Sequence, residues 1–344
     1  MKADENISQI LKGTEAAGKT YRFDKQHDLN LPAEMWFQES QEGLILFVVF
    51  YTQACRWSRC LGCNLPSRMS PKPVSYKAIM AQIDAVFADP EVRRQRSAIQ
   101  KVIVSNNGSV LDEKTFSSTG LMYLLAMLNM HLPNLSVLSL ETRPEFVDTA
   151  ELDFLARALD EGETPTELEL AVGFEAFDDH VRNDVFLKGL SLKTFEELAA
   201  RVGPFGYKLK CYFMQKPVPD MTDAEAVADI RRAIDYLDEI GRAHSLQINM
   251  HLNPTYVASG TILEEKFRKG EFSPPYLRDV ADAVRHARDK SLTVFIGLQD
   301  EGLSVEGGSF IRKGDEIVVE KLERFNRSQS FGILDEICGN NKME

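Results

Sequence analysis

The chain has 344 residues, 44% hydrophobic and 27% charged, with 52 acidic against 40 basic side chains and a formal net charge of −12. That composition is ordinary for a soluble globular protein with a large core, and its acidity disfavours non-specific binding to nucleic acid. Five cysteines in this length are no disulfide framework, residues 1–13 lack an apolar leader, and the longest apolar run, 43–51, is too short to span a bilayer, so a cytoplasmic protein without a membrane segment is expected.

Residues 1–40 are polar, with Pro32 and Trp36 near their end, and read as a lead-in helix followed by irregular chain. From there strand-like and helix-like segments alternate. Residues 44–51 form the first expected strand and 74–88 a helix. The second strand, 101–105, is followed by the turn Asn106-Asn107-Gly108-Ser109, and 116–130 is helical in pattern. The third strand, 135–140, ends at Glu141-Thr142-Arg143-Pro144, and a helix covers 150–160. The fourth, 167–172, ends at Gly173-Phe174-Glu175. Helical patterns at 178–185 and 192–202 precede the fifth strand at 208–215. An amphipathic helix at 224–240, a sixth strand at 246–252, a helix at 275–290 and a closing strand at 292–297 complete the series. The tail from 302 carries Gly307-Gly308 and a charged strand-then-helix pattern. Six or more βα units in series predict a parallel sheet. The expected division is a lead-in (1–40), a barrel (41–300) and a C-terminal extension (301–344).

The later strands are polar on one side. Gln247, Asn249, His251 and Asn253 alternate with Leu246, Ile248, Met250 and Leu252; Lys208, Lys210 and Tyr212 alternate with Leu209, Cys211 and Phe213. An open sheet covered on both faces is apolar on both, whereas a barrel with a ligand-filled lumen is apolar outward and polar inward. Ligands of such sheets bind beyond the carboxyl ends of the strands, where the residues after 51, Asn106, Glu141, Glu175 and Tyr212 fall. By alternation Lys210, Tyr212, Asn249 and His251 are candidates for a substrate wall, although a packed core histidine and snorkelled lysines give the same pattern. Cys211 points outward into core, Cys338 is a plain tail residue, and Arg231, Arg232 and Glu239 mark a solvated helix face.

Directly after the first strand come Cys55, Cys60 and Cys63, three thiols within nine residues. Three thiolates hold three irons of a [4Fe–4S] cube and leave the fourth iron open to a substrate. A structural zinc site needs a fourth ligand, usually as two separated pairs, and buried unligated thiols do not suit a loop containing Arg56, Ser58, Arg59 and Asn64. An open iron can chelate the amino and carboxylate groups of S-adenosylmethionine, and one electron delivered to its sulfonium makes a 5′-deoxyadenosyl radical.

On these residues the chain resembles the radical SAM superfamily over about 41–300. The resemblance implies an α/β fold with a partial (β/α)6 TIM-type barrel, the cluster on Cys55, Cys60 and Cys63, and S-adenosylmethionine beside it. The superfamily spacing is three residues then two; here it is four then two, and Gly62 replaces the aromatic residue common before the last cysteine, a place Trp57 is free to fill. The 105–109 turn sits where relatives meet the methionine amine, without their Gly-Gly-Glu form. Glu141 and Arg143 resemble a Glu-x-Arg pattern, Gly173-Phe174-Glu175 a fourth-strand motif, and Lys188 a basic residue that grips the cofactor carboxylate. Asn106, Glu141, Arg143, Glu175 and Lys188 are thereby the implied cofactor contacts.

Residues 209–217, then Asn253-Pro254-Thr255 through Gly260-Thr261, Glu264, Gly270, Pro274 and Pro275, resemble the archaeosine synthase and elongator-like branch. That implies a modified nucleoside, in tRNA, as substrate and a small flavodoxin- or ferredoxin-type protein as reductant, although the acidic charge argues against extensive phosphate contact. A small metabolite as substrate, and a non-catalytic zinc or redox-sensing protein, are the alternatives.

Overall fold

The structure is a computed structural model and describes residues 2–300 and 302–339. In chain order the elements are α1 (Lys2–Ala16), β1 (Glu34–Ser40), β2 (Gly43–Val49), α2 (Tyr76–Ala88), α3 (Pro90–Gln95), β3 (Ile99–Ser105), α4 (Ser118–His131), β4 (Val137–Thr142), α5 (Thr149–Leu159), β5 (Glu167–Glu175), α6 (Leu192–Val202), β6 (Lys208–Gln215), α7 (Asp223–His244), β7 (Ile248–Pro254), α8 (Ile262–Arg268), α9 (Leu277–Val284), β8 (Thr293–Ile296), α10 (Glu316–Ser328) and α11 (Phe331–Gly339). No described helix is long and apolar enough to cross a membrane.

The chain divides into two compact units. The first holds residues 1–17, 22–58 and 65–172; the second holds 18–21, 59–64 and 173–344. In the first, strand order follows chain order: β1 pairs antiparallel with β2, and β2, β3, β4 and β5 pair parallel in succession. In the second, β6, β7 and β8 are parallel neighbours. This succession is the α/β, partial (β/α)6 class expected from the sequence.

Local chemistry sets the element ends. Ser75, Ser117, Asp148 and Ser191 cap α2, α4, α5 and α6 by accepting from backbone N–H groups of the first turn. Thr222 and Glu225 form a reciprocal capping box on α7. The strand interiors are the expected runs of β-branched and leucine side chains, with Ile45, Leu46, Val48, Val102, Ile103, Val104, Leu138 and Leu140 all buried.

Three expectations change. The stretch before residue 41 contains β1, which pairs with β2 through a two-residue turn at Gln41 and Glu42, with Ser40 opposite Gly43. Trp36 stacks on Phe47 at 4.2 Å between ring centroids, and this burial outweighs the polar residues around it. The 178–185 pattern folds as a π-helical turn, His180–Val185. In the tail, the described residues form α10 and α11, and the expected strand is reduced to a single bridge between Ala258 and Ser304; the end of the tail beyond 339 lies outside the described residues.

The inward polar layer is occupied in the first unit by a buried charge network. Lys101 Nζ donates to Glu42 Oε2 at 2.6 Å and to Glu169 Oε2 at 2.9 Å, and Ser139 Oγ donates to Glu169 Oε1 at 2.7 Å. Lys101 is the third residue of β3 and Glu42 precedes β2, so the network sits toward the amino ends of the strands and leaves their carboxyl ends to the site.

Candidate active site at the carboxyl ends of the strands

Asn106, Glu141, Arg143 and Glu175 lie at or just past the carboxyl end of a strand, and Lys188 reaches Glu175 from the turn that follows β5. Among the described residues, five of the eight non-glycine residues with positive φ lie in these loops, Ser58 (50°), Asn107 (53°), Glu175 (77°), Leu187 (62°) and Lys216 (63°), the other three being Ser245, Asp289 and Gln329. Such backbone persists only where surrounding contacts impose it, and it concentrates at functional sites.

In the first unit, Cys55 heads the cysteine loop and packs against the loop after β3. A Cβ on Gly108 would stand 3.2 Å from Cys55 Cα and 3.4 Å from Cys55 Cβ, so a side chain here would press the cysteine loop outward by a few tenths of an ångström. The same point is 3.4 Å from Asn106 Oδ1. Asn106 is fully buried. Its Nδ2 donates to the Ser109 carbonyl and to Thr115 Oγ1, both at 3.2 Å, and its Oδ1 has no partner. A buried acceptor without a donor costs about 1–3 kcal/mol, and this one is beside the first cysteine.

Glu141 is tied to the same turn. Ser105 Oγ donates to Glu141 Oε2 at 2.5 Å and accepts from the Asn107 amide at 3.0 Å, while Ser109 and Thr142 hydroxyls meet at 2.7 Å. Arg143 Nε donates to Glu145 Oε1 at 2.5 Å, and its guanidinium lies over the Trp57 ring at 4.6 Å. Trp57 thus stacks on one of the implied cofactor residues.

The second unit carries Cys60, Cys63, Glu175 and Lys188. Leu61 N donates to the Phe186 carbonyl at 2.8 Å and Cys63 N to the Cys60 carbonyl at 3.2 Å; Cys60 and Leu61 pack on a cluster of Phe186, Val218, Met221 and Ala226. A Cβ on Gly62 would meet Leu263 Cδ1 at 2.8 Å and Phe186 Cε2 at 3.8 Å. Leu263 of α8 therefore stands where a side chain at position 62 would go.

Lys188 Nζ donates to Glu175 Oε1 at 2.7 Å, so two residues singled out separately are one ion pair. It passes over Gly173, where a Cβ would meet Lys188 Nζ at 2.3 Å and Glu175 Oε1 at 2.5 Å. The loop that delivers Lys188 is held by Arg182, a buried side chain that sequence reasoning missed. Its Nη1 donates to the Ala176 and Phe177 carbonyls at 3.0 and 2.7 Å, its Nε to the Leu190 carbonyl at 2.7 Å, and its own carbonyl accepts from Lys188 N at 2.9 Å. Asp229 on α7 fixes the same segment by accepting from the Phe177 and Asp178 amides, both at 2.8 Å. Burial raises the Asp229 carboxyl above its ordinary range, although those amides and Arg232 pull it down.

The expected substrate wall is contiguous along β6, β7 and β8. Lys210 Nζ donates to Asn249 Oδ1 at 2.6 Å, and Asn249 Nδ2 to Thr293 Oγ1 at 2.9 Å. His251 lies between Tyr212 and Phe295, with ring centroids 4.8 Å from each. At the strand ends, Gln215 and Thr255 are fully buried; neither the Gln215 amide nor the Thr255 hydroxyl has a partner. No sequence signal distinguished them, because an outward-alternating glutamine reads as packing.

The donor set fits an iron–sulfur cluster. All three cysteines are half-buried, and the unpartnered Asn106 acceptor stands next to the first of them. Among the described residues no three His, Cys, Asp or Glu side chains converge as ligands of one ion do; a cube takes each thiolate on a different iron and makes no such demand.

No family model matches the chain. It is 23% identical over 325 residues to an uncharacterized protein of Methanocaldococcus jannaschii, covering 91% of this chain and 86% of that one. It is 27% identical over 271 residues to archaeosine synthase subunit beta of Methanosarcina acetivorans, covering 77% and 74%. A solved Elp3 of Methanocaldococcus infernus lacking its N-terminus aligns with a TM-score of 0.49 at 16% identity, over 72% of this chain and 58% of that one. The chain is thus similar along most of its length to archaeosine synthase subunit beta, the branch that its sequence resembles.

Proposed function

We propose that the chain binds a [4Fe–4S] cluster through Cys55, Cys60 and Cys63, with S-adenosylmethionine beside it, and acts on a modified nucleoside carried in tRNA. The observation that carries the cofactor reading is the buried Asn106 Oδ1, an acceptor with no donor, next to the first of the three clustered cysteines. When bound, cluster and cofactor together supply a one-electron cleavage of the cofactor's carbon–sulfur bond.

The protein's own residues bind and orient. Asn106 Oδ1 would accept an N–H of the cofactor's amino group. Lys188, now on Glu175, would bring positive charge to the cofactor carboxylate. Glu141, held by Ser105, would accept from a hydroxyl or amine of the cofactor, and Trp57 with Arg143 would offer a flat surface to its base. Lys210, Asn249, His251 and Tyr212 would line the substrate side. The barrel segment, 41–300, would carry this chemistry, with 1–40 and 301–344 as flanking pieces.

The substrate class is supported by the relative named archaeosine synthase subunit beta, because archaeosine is a modified nucleoside. That name also supports work alongside a second subunit, and the electron would come from a small flavodoxin- or ferredoxin-type protein. Anaerobic cleavage of S-adenosylmethionine, measured as 5′-deoxyadenosine with and without bulk tRNA, tests the substrate. Stimulation by tRNA is expected; equal cleavage with and without it would remove the tRNA reading.

A further inference from the structure

The four residues between Cys55 and Cys60, one more than the superfamily spacing, make contacts that a simple linker would not. Arg56 Nε and Nη2 donate to Asp112 Oδ2 and Oδ1 at 2.5 and 2.9 Å. The two side chains are only 15% and 5% exposed, and the guanidinium lies over the Phe146 ring at 5.3 Å. A two-pronged arginine–carboxylate pair has essentially one geometry, which a lysine cannot reproduce. Ser58 then turns into the left-handed region and its hydroxyl donates to the Cys55 carbonyl. The additional residue is absorbed by a turn that closes back on the first cysteine.

Asp112 belongs to the loop that holds Asn106. Its carbonyl accepts from the Thr115 and Phe116 amides at 2.8 and 2.9 Å and from Thr115 Oγ1 at 3.1 Å. Thr115 Oγ1 accepts in turn from Asn106 Nδ2 at 3.2 Å. An unbroken chain of hydrogen bonds therefore runs from Arg56 through Asp112 and Thr115 to Asn106, whose other amide atom is the unpartnered acceptor.

We propose that Arg56 and Asp112 form a latch that fixes Cys55 against the Asn106 acceptor, so that the inserted residues position the first thiol relative to the cofactor's amino group. Both are positioning residues. The proposal rests on the reading of the three cysteines as cluster ligands. Residues one step behind a metal ligand commonly change affinity by about 10–100-fold when altered.

The test compares wild type, Asp112→Asn, Arg56→Lys and Arg56→Ala after anaerobic reconstitution. Iron per chain, the electron paramagnetic resonance spectrum of the reduced protein with and without S-adenosylmethionine, and KM and kcat for its cleavage are read. The latch requires variants that keep wild-type circular dichroism and bind iron, yet show KM raised about 10-fold or more with kcat nearly unchanged. The spectral change caused by the cofactor should be weakened, with Arg56→Lys milder than Arg56→Ala. Iron-loaded variants with wild-type KM and spectral response would overturn the latch while leaving the cluster reading intact. A wild-type protein that takes up no iron would overturn both.

Discussion

Lys188 Nζ meets Glu175 Oε1 at 2.7 Å directly over Gly173, in space that any side chain at that position would fill. Glycine thus does here what a motif alone does not explain: it lets a pair of opposite charges cross the end of β5, with Glu175 held at a φ of 77°.

The first expected outcome concerns that crossing. In Gly173→Ala the new Cβ would collide with the free ends of two flexible side chains, 2.3 and 2.5 Å away. They can swing aside, so the stability cost should lie at the low end of about 1–3 kcal/mol. Binding of S-adenosylmethionine, followed by calorimetry on the iron-loaded protein, should weaken by about 10-fold, the equivalent of roughly 1.4 kcal/mol. Unchanged affinity would separate the Glu175–Lys188 pair from the cofactor.

The second concerns the buried network at the opposite ends of the strands. Lys101→Met leaves the Glu169 carboxylate buried with the Ser139 hydroxyl, and breaking such a pair costs about 3–5 kcal/mol. Burial opposes the Lys101 charge, but Glu169 and Glu42 outweigh it and hold its pKa above the ordinary 10.5. A raised folded-state pKa means that the contribution is complete below the unfolded value and fades as pH climbs through the folded one. Urea midpoints should therefore differ between wild type and Lys101→Met by a constant amount from about pH 7 to 10 and converge only above that range. Convergence already near neutral pH would contradict the assignment.

Much of this fold is written in local pattern. Helix α6 spans the expected residues because Ser191 caps it and Phe195, Leu198, Ala199 and Val202 form one buried stripe, and β6 matches because polar and apolar side chains alternate from Lys208 to Phe213. Strand β1 was hidden. Its turn, Gln41-Glu42, lacks the Asn-Gly chemistry that announces a hairpin, and its side chains are mostly half-buried. The candidate residues can be singled out one at a time in the sequence, but not as pairs. Lys188 and Glu175 each stand out in the sequence, but their meeting depends on a π-helical turn held by Arg182. Arg56 and Asp112 are 56 positions apart, and no local signal joins them.

The third expectation uses Gly62. Restoring the superfamily's aromatic residue as Gly62→Phe puts a ring where Leu263 already stands, since even a Cβ would come within 2.8 Å of its Cδ1. The thermal midpoint should fall, by the equivalent of about 1–3 kcal/mol, and Leu263→Ala in the same chain should restore part of it. A single variant as stable as wild type would mean that α8 does not occupy this space.

The most direct test of the central claim is the metal content of the oxygen-protected protein, set against cofactor cleavage. Wild type should carry about four irons per chain and release 5′-deoxyadenosine when reduced, and Cys55→Ala, Cys60→Ala and Cys63→Ala should each abolish that release while Cys211→Ala and Cys338→Ala do not. A chain that holds zinc on four protein ligands and leaves S-adenosylmethionine intact would contradict the account.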